Sequence, residues 1–206
     1  MELTHFDSSV GSRAFGIRVC FNHAGIDWKD NRVSYQDFIA AKKEGKFPTG
    51  LPILKLVNGR EITQSCAILR YAGKLCGLYP EDPLKAMVCD SILDTLTDLM
   101  AKAPQASSPE EKKKLREEYA AGRMKSYMSQ LTSMVEAEGG KFCLGDELTI
   151  ADLHLIFVTG CIATGEFDYV PAEYLDGFPK LKELNTTIMQ HAIVTKWLTK
   201  LEESKK

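Results

Sequence analysis

Residues 50–71 constrain this chain more than any other stretch, because several backbone decisions fall inside them. Pro52 has no N–H to give a ladder, so it can only open a strand. The apolar run from Ile53 to Val57 has the length of one strand. Asn58-Gly59 is a strong hairpin turn signal, since both residues accept positive φ. Gln64-Ser65 then stands where a helix begins, followed by apolar Ala67, Ile68, Leu69 and Tyr71. A helix N-terminus presents free backbone N–H groups and a partial positive charge, which suits an anion such as a carboxylate.

Composition removes several function classes. The formal charge is −2, so no global field favours nucleic acid. No apolar run is long enough for a membrane span. The opening Met-Glu-Leu-Thr-His-Phe lacks the basic and apolar regions of a secretory signal. The cysteines at 20, 66, 76, 89, 143 and 161 form no C-x-x-C pair and follow no regular spacing. This pattern reads as reduced cytoplasmic thiols, neither a disulfide frame nor a zinc site. It also argues against a dithiol oxidoreductase of the C-x-x-C type. His23, His154 and His191 are scattered, and no metal constellation is expected.

Strand and helix signals alternate over residues 1–76. Residues 2–6 form a short strand candidate. Ala14, Ile17, Phe21 and Ala24 fall at helical spacing within residues 11–24, and Gly25 suits the end. Residues 28–35 make a second strand candidate and 38–43 a short helix. The Pro52 strand, the hairpin and a helix ending near Gly73 complete a β-α-β-α-β-β-α order, whose first unit implies parallel strands. Residues 77–83, with two prolines and a glycine, read as a linker. Residues 84–206 read as all-helical. Met87, Ile92, Leu93, Leu96, Leu99 and Met100 form an apolar stripe over 84–100. Ser108-Pro109-Glu110-Glu111 starts a helix predicted to run to about residue 138. Thr149-Ile150-Ala151-Asp152 matches a capping box, so Asp152 is read as structural. A last helical region is expected over 178–203. The Lys112 to Lys114 run reads as a solvated face.

Together these features resemble the cytosolic glutathione transferases across nearly the whole chain, with sigma class and its alpha, mu and pi relatives the nearest in appearance. The residues carrying the resemblance are Leu3 to Asp7, Arg13-Ala14 with Ile17-Arg18, Leu51 to Leu54, Gln64-Ser65 with Ala67-Ile68 and Arg70-Tyr71, Asp94 to Leu96 with Asp98, and Thr149 to Asp152. The implied fold is α+β: a thioredoxin-like βαβαββα domain followed by an all-α domain. The resemblance implies a glutathione site in the first domain. Gly50 and Leu51 present backbone to the cysteinyl part, and Pro52 is expected cis. Gln64 and Ser65 hold the γ-glutamyl carboxylate, Phe38 fills a slot often taken by Trp, and Lys42 lies near the glycyl carboxylate. Asp98 matches a position that reaches glutathione in a neighbouring subunit, and a homodimer is implied. Asp90, Asp94 and Asp98 also recur every fourth residue, the pattern of a solvated helical face. Met100 and Pro104 are placed, with Ala103, at the wall of a pocket for a hydrophobic electrophile.

Glutathione chemistry needs a thiolate. A free thiol has a pKa of about 8.5. Lowering it by about two units takes roughly 2.7 kcal/mol of preferential anion stabilisation. Sigma-class relatives supply a tyrosine hydroxyl at the end of the first strand, where this chain has His5. Either His5 donates from a ring N–H or as imidazolium, or Ser9 serves, since Ser9 to Arg13 resembles the Ser-x-x-x-Arg arrangement of serine-type transferases. Ser8 and Ser12 stand close by. The opposing reading makes this loop a helix cap and His5 a satisfied strand residue. The function implied is conjugation of glutathione to hydrophobic electrophiles, with isomerase or peroxidase chemistry at the same site. The alternatives are a non-catalytic ligand-binding or crystallin-like structural protein, or an interaction domain.

Overall fold

Five residues, Glu2–Phe6, of which the central Leu3, Thr4 and His5 are all buried, make the first strand, β1. It pairs in parallel with β2 (Lys29–Val33) and antiparallel with β3 (Ile53–Lys55), which pairs antiparallel with β4 (Glu61–Ile62). The sheet order is β2-β1-β3-β4. The structure is a computed structural model that describes residues 1–8 and 10–203. The candidate Ser9 therefore lies outside the described residues. The mixed sheet and the helices that follow it form the expected thioredoxin-like and all-helical combination.

α1 (Phe15–Ala24) buries Phe15, Ile17, Val19, Cys20 and Phe21. Burial of each large apolar side chain contributes about 1.5–3 kcal/mol, which compensates for an N-terminus without a side-chain cap. Its start is later than the periodicity implies, because Ser12 N–H bonds the Val10 carbonyl and Phe15 N–H the Ser12 carbonyl, which turns the chain first. α2 (Tyr35–Lys43) starts earlier than expected: Ser34 Oγ accepts the Asp37 N–H at 3.0 Å and ends β2 there. The hairpin also turns early. Gly59 N–H bonds the Leu56 carbonyl at 2.9 Å, and Gly59 takes the positive φ of 83° while Asn58 does not.

α3 (Ser65–Cys76) continues past Gly73 to a left-handed cap at Gly77. Gly73 is there for packing, not termination. A Cβ on it would lie 2.5 Å from Ile150 Cγ2. Asp82 caps α4 (Pro83–Ala101) with Pro83 in its first turn. The stripe along α4 buries Ile92, Leu93, Leu96 and Leu99, but Met87 is 61% exposed. Ser108 caps α5 (Pro109–Tyr119), which passes through a π-turn at Ala120–Met124 into α6 (Lys125–Glu138). The wider turn directs the Ala120 carbonyl to the Tyr174 hydroxyl at 2.7 Å.

α7 (Ile150–Ala163) is buried on all sides and packs against α1, α3 and α4. Its capping box forms as read from sequence. Asp152 accepts from the Thr149 N–H at 2.8 Å and additionally from the Cys143 N–H at 2.7 Å. The last region is two helices, α8 (Pro179–Met189) and α9 (Ala192–Glu203). They separate because His191 Nδ1 accepts the Ile193 N–H at 3.3 Å, a local bond that hydrophobic spacing does not reveal. Among the described residues, no helix is long and apolar enough to cross a membrane.

Replacing Asp152 by Ala strips two buried N–H groups of their acceptor. The expected loss is about 3 kcal/mol in urea denaturation, with Asp152→Asn losing less because its amide oxygen still accepts.

Candidate functional site

Strand register assembles the site. Thr4 pairs with Ile53, Leu54 with Ile62, and Lys55 with Glu61. Continuing these antiparallel ladders sets His5, Pro52 and Gln64 side by side at the carboxyl end of β1. Arg32 flanks His5 on the other side. Residues distant in sequence thus meet along one edge because side chains and backbone advance in register.

The Leu51–Pro52 peptide is cis, as expected. It is delivered by a turn in which Gly50 N–H bonds the Phe47 carbonyl at 2.9 Å, with both residues at positive φ. Phe47 stacks on Phe38 with centroids 5.9 Å apart, and Phe6 meets Phe38 edge-on at 5.0 Å. Phe38 is therefore an aromatic anchor for the turn. Lys42 is exposed, with its Nζ 5.9 Å from the Phe38 ring centroid.

Gln64 has φ 72° and ψ 102°, and its side chain makes no cap bond. A non-glycine residue held there costs on the order of 1–3 kcal/mol, and such strain concentrates at ligand sites. The strain turns the chain directly from β4 into α3. Gln64 is exposed, whereas Ser65 is 7% exposed. The first N–H groups of α3 have no partner within the helix. The junction thus sets a buried hydroxyl and an exposed amide at the N-terminus of α3.

Residues 94–201, more than half of the chain, match the family described as Glutathione S-transferase, C-terminal domain. The chain belongs to the glutathione S-transferase family. Glutathione S-transferase 1 of Ascaris suum is 29% identical over 203 residues, covering 96% of this chain and 94% of the relative. Hematopoietic prostaglandin D synthase of Gallus gallus is 28% identical over 201 residues, covering 97% and 95%. A solved structure of prostaglandin synthase D of Nilaparvata lugens superposes with a TM-score of 0.81 at 22% identity, covering 97% of this chain and 96% of that one.

Against this glutathione S-transferase frame, His5 is 4% exposed. Burial, and then the positive charge of Arg18, holds its pKa down at about 3, so the ring is neutral at physiological pH. A neutral ring has a single ring N–H to donate. Its Nδ1 has no hydrogen-bond partner among the described residues, and neither has the buried Ser12 Oγ. Ser8 is partly buried, with its Oγ 3.5 Å from the Phe6 carbonyl.

Arg18 is what positions this loop. Only 1% exposed, it bonds Asp30 at 3.0 Å, the Phe6 carbonyl at 3.2 Å and the Ser8 carbonyl at 3.4 Å. Arg32 completes the clamp, reaching Asp30 at 2.8 Å and Asp7 at 2.9 Å. On the other side Gly11 lies against α7. The Cys161 thiol donates to its carbonyl at 3.2 Å, and a Cβ on Gly11 would lie 2.4 Å from Glu166 Oε2. The loop contacts on Cys161 and Glu166 carried no sequence signal, because they arise from long-range packing.

The remaining candidates separate. Asp98 pairs with Lys102 at 2.5 Å on α4, and Lys102 also bonds the Tyr127 hydroxyl at 2.9 Å. Asp90 and Asp94 are engaged by Arg70 of α3 at 2.6 and 3.0 Å, so this row is tied to a neighbouring helix instead of merely solvated. Met100 and Pro104 are half-buried at the end of α4. Sequence did not anticipate that His154 Nε2 lies 3.3 Å from Thr97 Oγ1 and 3.6 Å from Cys66 Sγ, beside the start of α3. Burial first, then Arg13 and Arg70, holds His154 at about 3.

Replacing Arg18 by Met removes the clamp and leaves Asp30 without its buried partner. A loss of about 3 kcal/mol in chemical denaturation is expected, with increased proteolytic cleavage in the loop over residues 6–13. Acid lability is a second consequence. Both histidines have folded pKa values of about 3 against 6.5, so the unfolded state binds more protons between these values. Their stabilisation is complete above pH 6.5 and is lost as pH falls toward 3. Between pH 6.5 and about 5, each contributes a loss on the order of 2 kcal/mol. Urea midpoints across that interval should fall more shallowly in His154→Leu.

Proposed function

We propose that this chain is a glutathione-conjugating enzyme that binds glutathione along the edge set by His5, Pro52 and Gln64. The observation carrying this reading is the junction at Gln64-Ser65, where strained backbone places an exposed amide and a buried hydroxyl at the free end of α3. The γ-glutamyl carboxylate binds Gln64, Ser65 and the first N–H groups of the helix. Leu51, preceding cis Pro52, offers its backbone to the cysteinyl residue, as an added strand would. Lys42 faces the glycyl carboxylate as a solvated charge, which makes it the weaker anchor.

The thiol then lies at the end of β1, beside the loop carrying Ser9. Ser9 donates to the sulfur, and neutral His5 is the competing donor. The thiolate attacks an electrophilic carbon, forming a C–S bond while the leaving group departs. With an epoxide the C–O bond breaks and the ring oxygen takes up a proton; with a hydroperoxide the thiolate attacks oxygen, the O–O bond breaks to give the alcohol and glutathione sulfenic acid, and a second glutathione thiol converts that acid to glutathione disulfide and water. Met100, Ala103 and Pro104 supply the apolar wall for that substrate. Sigma-class likeness, a cytoplasmic location and a homodimer in which Asp98 serves the partner's glutathione belong to the same proposal, as does the division into residues 1–76 and 84–206.

A second reading has its own observation. A neutral, buried histidine where sigma-class relatives have tyrosine favours a glutathione-binding protein that leaves the thiol unactivated. Thiolate absorbance of bound glutathione against pH distinguishes the two. For an enzyme, the bound thiol ionises below its free pKa, chlorodinitrobenzene is conjugated, and Ser9→Ala raises the thiol pKa more than His5→Ala. Binding without a shift or conjugation supports the second reading. Ser65→Ala should weaken glutathione binding about tenfold by calorimetry, the loss of one hydrogen bond to a charged group. Unchanged affinity would remove the carboxylate assignment.

A further inference from the structure

We propose that Arg116 anchors an anion site beside the end of α4, and that it takes the carboxylate of a molecule whose remainder is an apolar chain. That this molecule is the electrophile rests on the transferase reading; the anion site itself does not. Arg116 is a buried cation without a polar partner. It is 6% exposed, and its Nε is fully enclosed with no hydrogen-bond partner. Asp168, the acid that acts on it, is bonded instead by Lys112, one turn earlier on α5. Nε alone of the guanidinium nitrogens is enclosed, so the terminal nitrogens remain within reach of an incoming group.

Three contacts place the guanidinium. The Tyr119 hydroxyl donates to the Leu99 carbonyl at 2.6 Å, which seats one face of α5 on the last turns of α4. Arg116 is three residues before Tyr119 and so shares that face. Its guanidinium carbon lies 5.0 Å from the ring centroid of Phe167. The Phe167 N–H bonds the Cys161 carbonyl at 2.9 Å, and the Cys161 thiol bonds the Gly11 carbonyl at 3.2 Å. Arg116 therefore stands between the end of α4, with Met100, Ala103 and Pro104, and a segment tied to the loop after β1.

The surroundings select the ligand. A guanidinium taken out of water is costly unless its donors are engaged. Burial lowers its pKa, with Asp168 opposing, so the charge is held at a cost in the free protein. The Phe167 face offsets part of that cost but accepts no hydrogen bond in the guanidinium plane. A planar carboxylate accepts two parallel bonds from such a fork. Ala103, Tyr119 and Phe167 are buried around the site, so stripping water from a doubly charged phosphate is the less favourable alternative. An apolar chain leaving the carboxylate runs along Ala103 and Pro104, which directs its far end toward the loop and the glutathione sulfur. Arg116 is in this way a specificity-determining residue for electrophiles that end in a carboxylate.

The test uses the full chain and measures decanoate binding by calorimetry. Wild type should bind decanoate at least about tenfold more tightly than Arg116→Met, with part of the loss recovered in Arg116→Lys. Arg116→Gln replaces Arg116→Met if the latter does not fold. The urea midpoint of Arg116→Met should be unchanged or higher, because the substitution removes an unpaired buried charge. A lowered midpoint with unchanged decanoate affinity would make Arg116 a structural residue and overturn the proposal. Inorganic phosphate should leave decanoate bound; displacement would identify a free-phosphate site and overturn the carboxylate assignment. In the kinetic arm, oxodecenoate, an unsaturated aldehyde ending in a carboxylate, is compared with its methyl ester. Wild type should favour the acid about tenfold in kcat/KM, and Arg116→Met should lose that preference while conjugating the ester unchanged. Conjugation of neither compound, with Arg116-dependent decanoate binding intact, sinks the transferase reading and leaves the anion site standing.

Discussion

The clamp of Arg18 on Asp30 and on two loop carbonyls is the interaction on which the rest of the site depends. A guanidinium inside a layer of Phe15, Ile17, Val19 and Phe21 is costly unless its donors are engaged. Here its partners are backbone and carboxylate groups on β1, the following loop and β2. The cost of burial is offset only when those segments hold one arrangement. A hydrophobic side chain there could stabilise the layer equally well, but it would not specify where the loop leaves the sheet. The arginine therefore connects the packing of α1 to the position of Ser8 and the end of β1.

α7 supplies the complementary support from the other half of the chain. It is apolar all round, so its position is set by close packing more than by polar contacts. Gly73 lets Ile150 approach α3, while Gly160 lets Val10 and Gly11 approach α7. The Ile150 N–H also bonds the Leu78 carbonyl at 2.9 Å, joining the helix start to the linker. One helix thus touches the loop before α1, the body of α3 and the end of α3. Asp152 anchors its first turn, which explains why a single buried carboxylate matters to elements far apart in sequence.

Features written in local chemistry were legible in the sequence: the Pro-led strand, the helix start at Ser65, the caps at Ser108 and Thr149, and the order of strands and helices. Their signals occupy a few neighbouring residues. The early start of α2, the π-turn and the gap between α8 and α9 depend on single side-chain bonds that hydrophobic periodicity averages away. At the site, residue types could be placed in order, but their environments could not. Nothing in the neighbourhood of His5 says that its ring is buried beside arginines, and nothing near Asp90 and Asp94 says that Arg70 of α3 engages them. Those facts come from register and packing across more than one element.

The electrostatics around His5 reframe the question of thiol activation. Burial disfavours the imidazolium, and Arg18, Arg13 and Arg32 disfavour it further. The same positive field has the opposite effect on an anion, because a neighbouring cation stabilises negative charge while it opposes protonation of a base. Arg18 and Arg32 share Asp30, which attenuates their contribution but does not reverse its sign. On the proposed reading, a glutathione sulfur at the end of β1 would meet a surrounding that favours thiolate even before a hydroxyl donates to it. In this arrangement a neutral histidine is no longer a failed substitute for tyrosine. It is a group that does not compete for the field, and the donor nearest the sulfur has less of the ionisation free energy to supply.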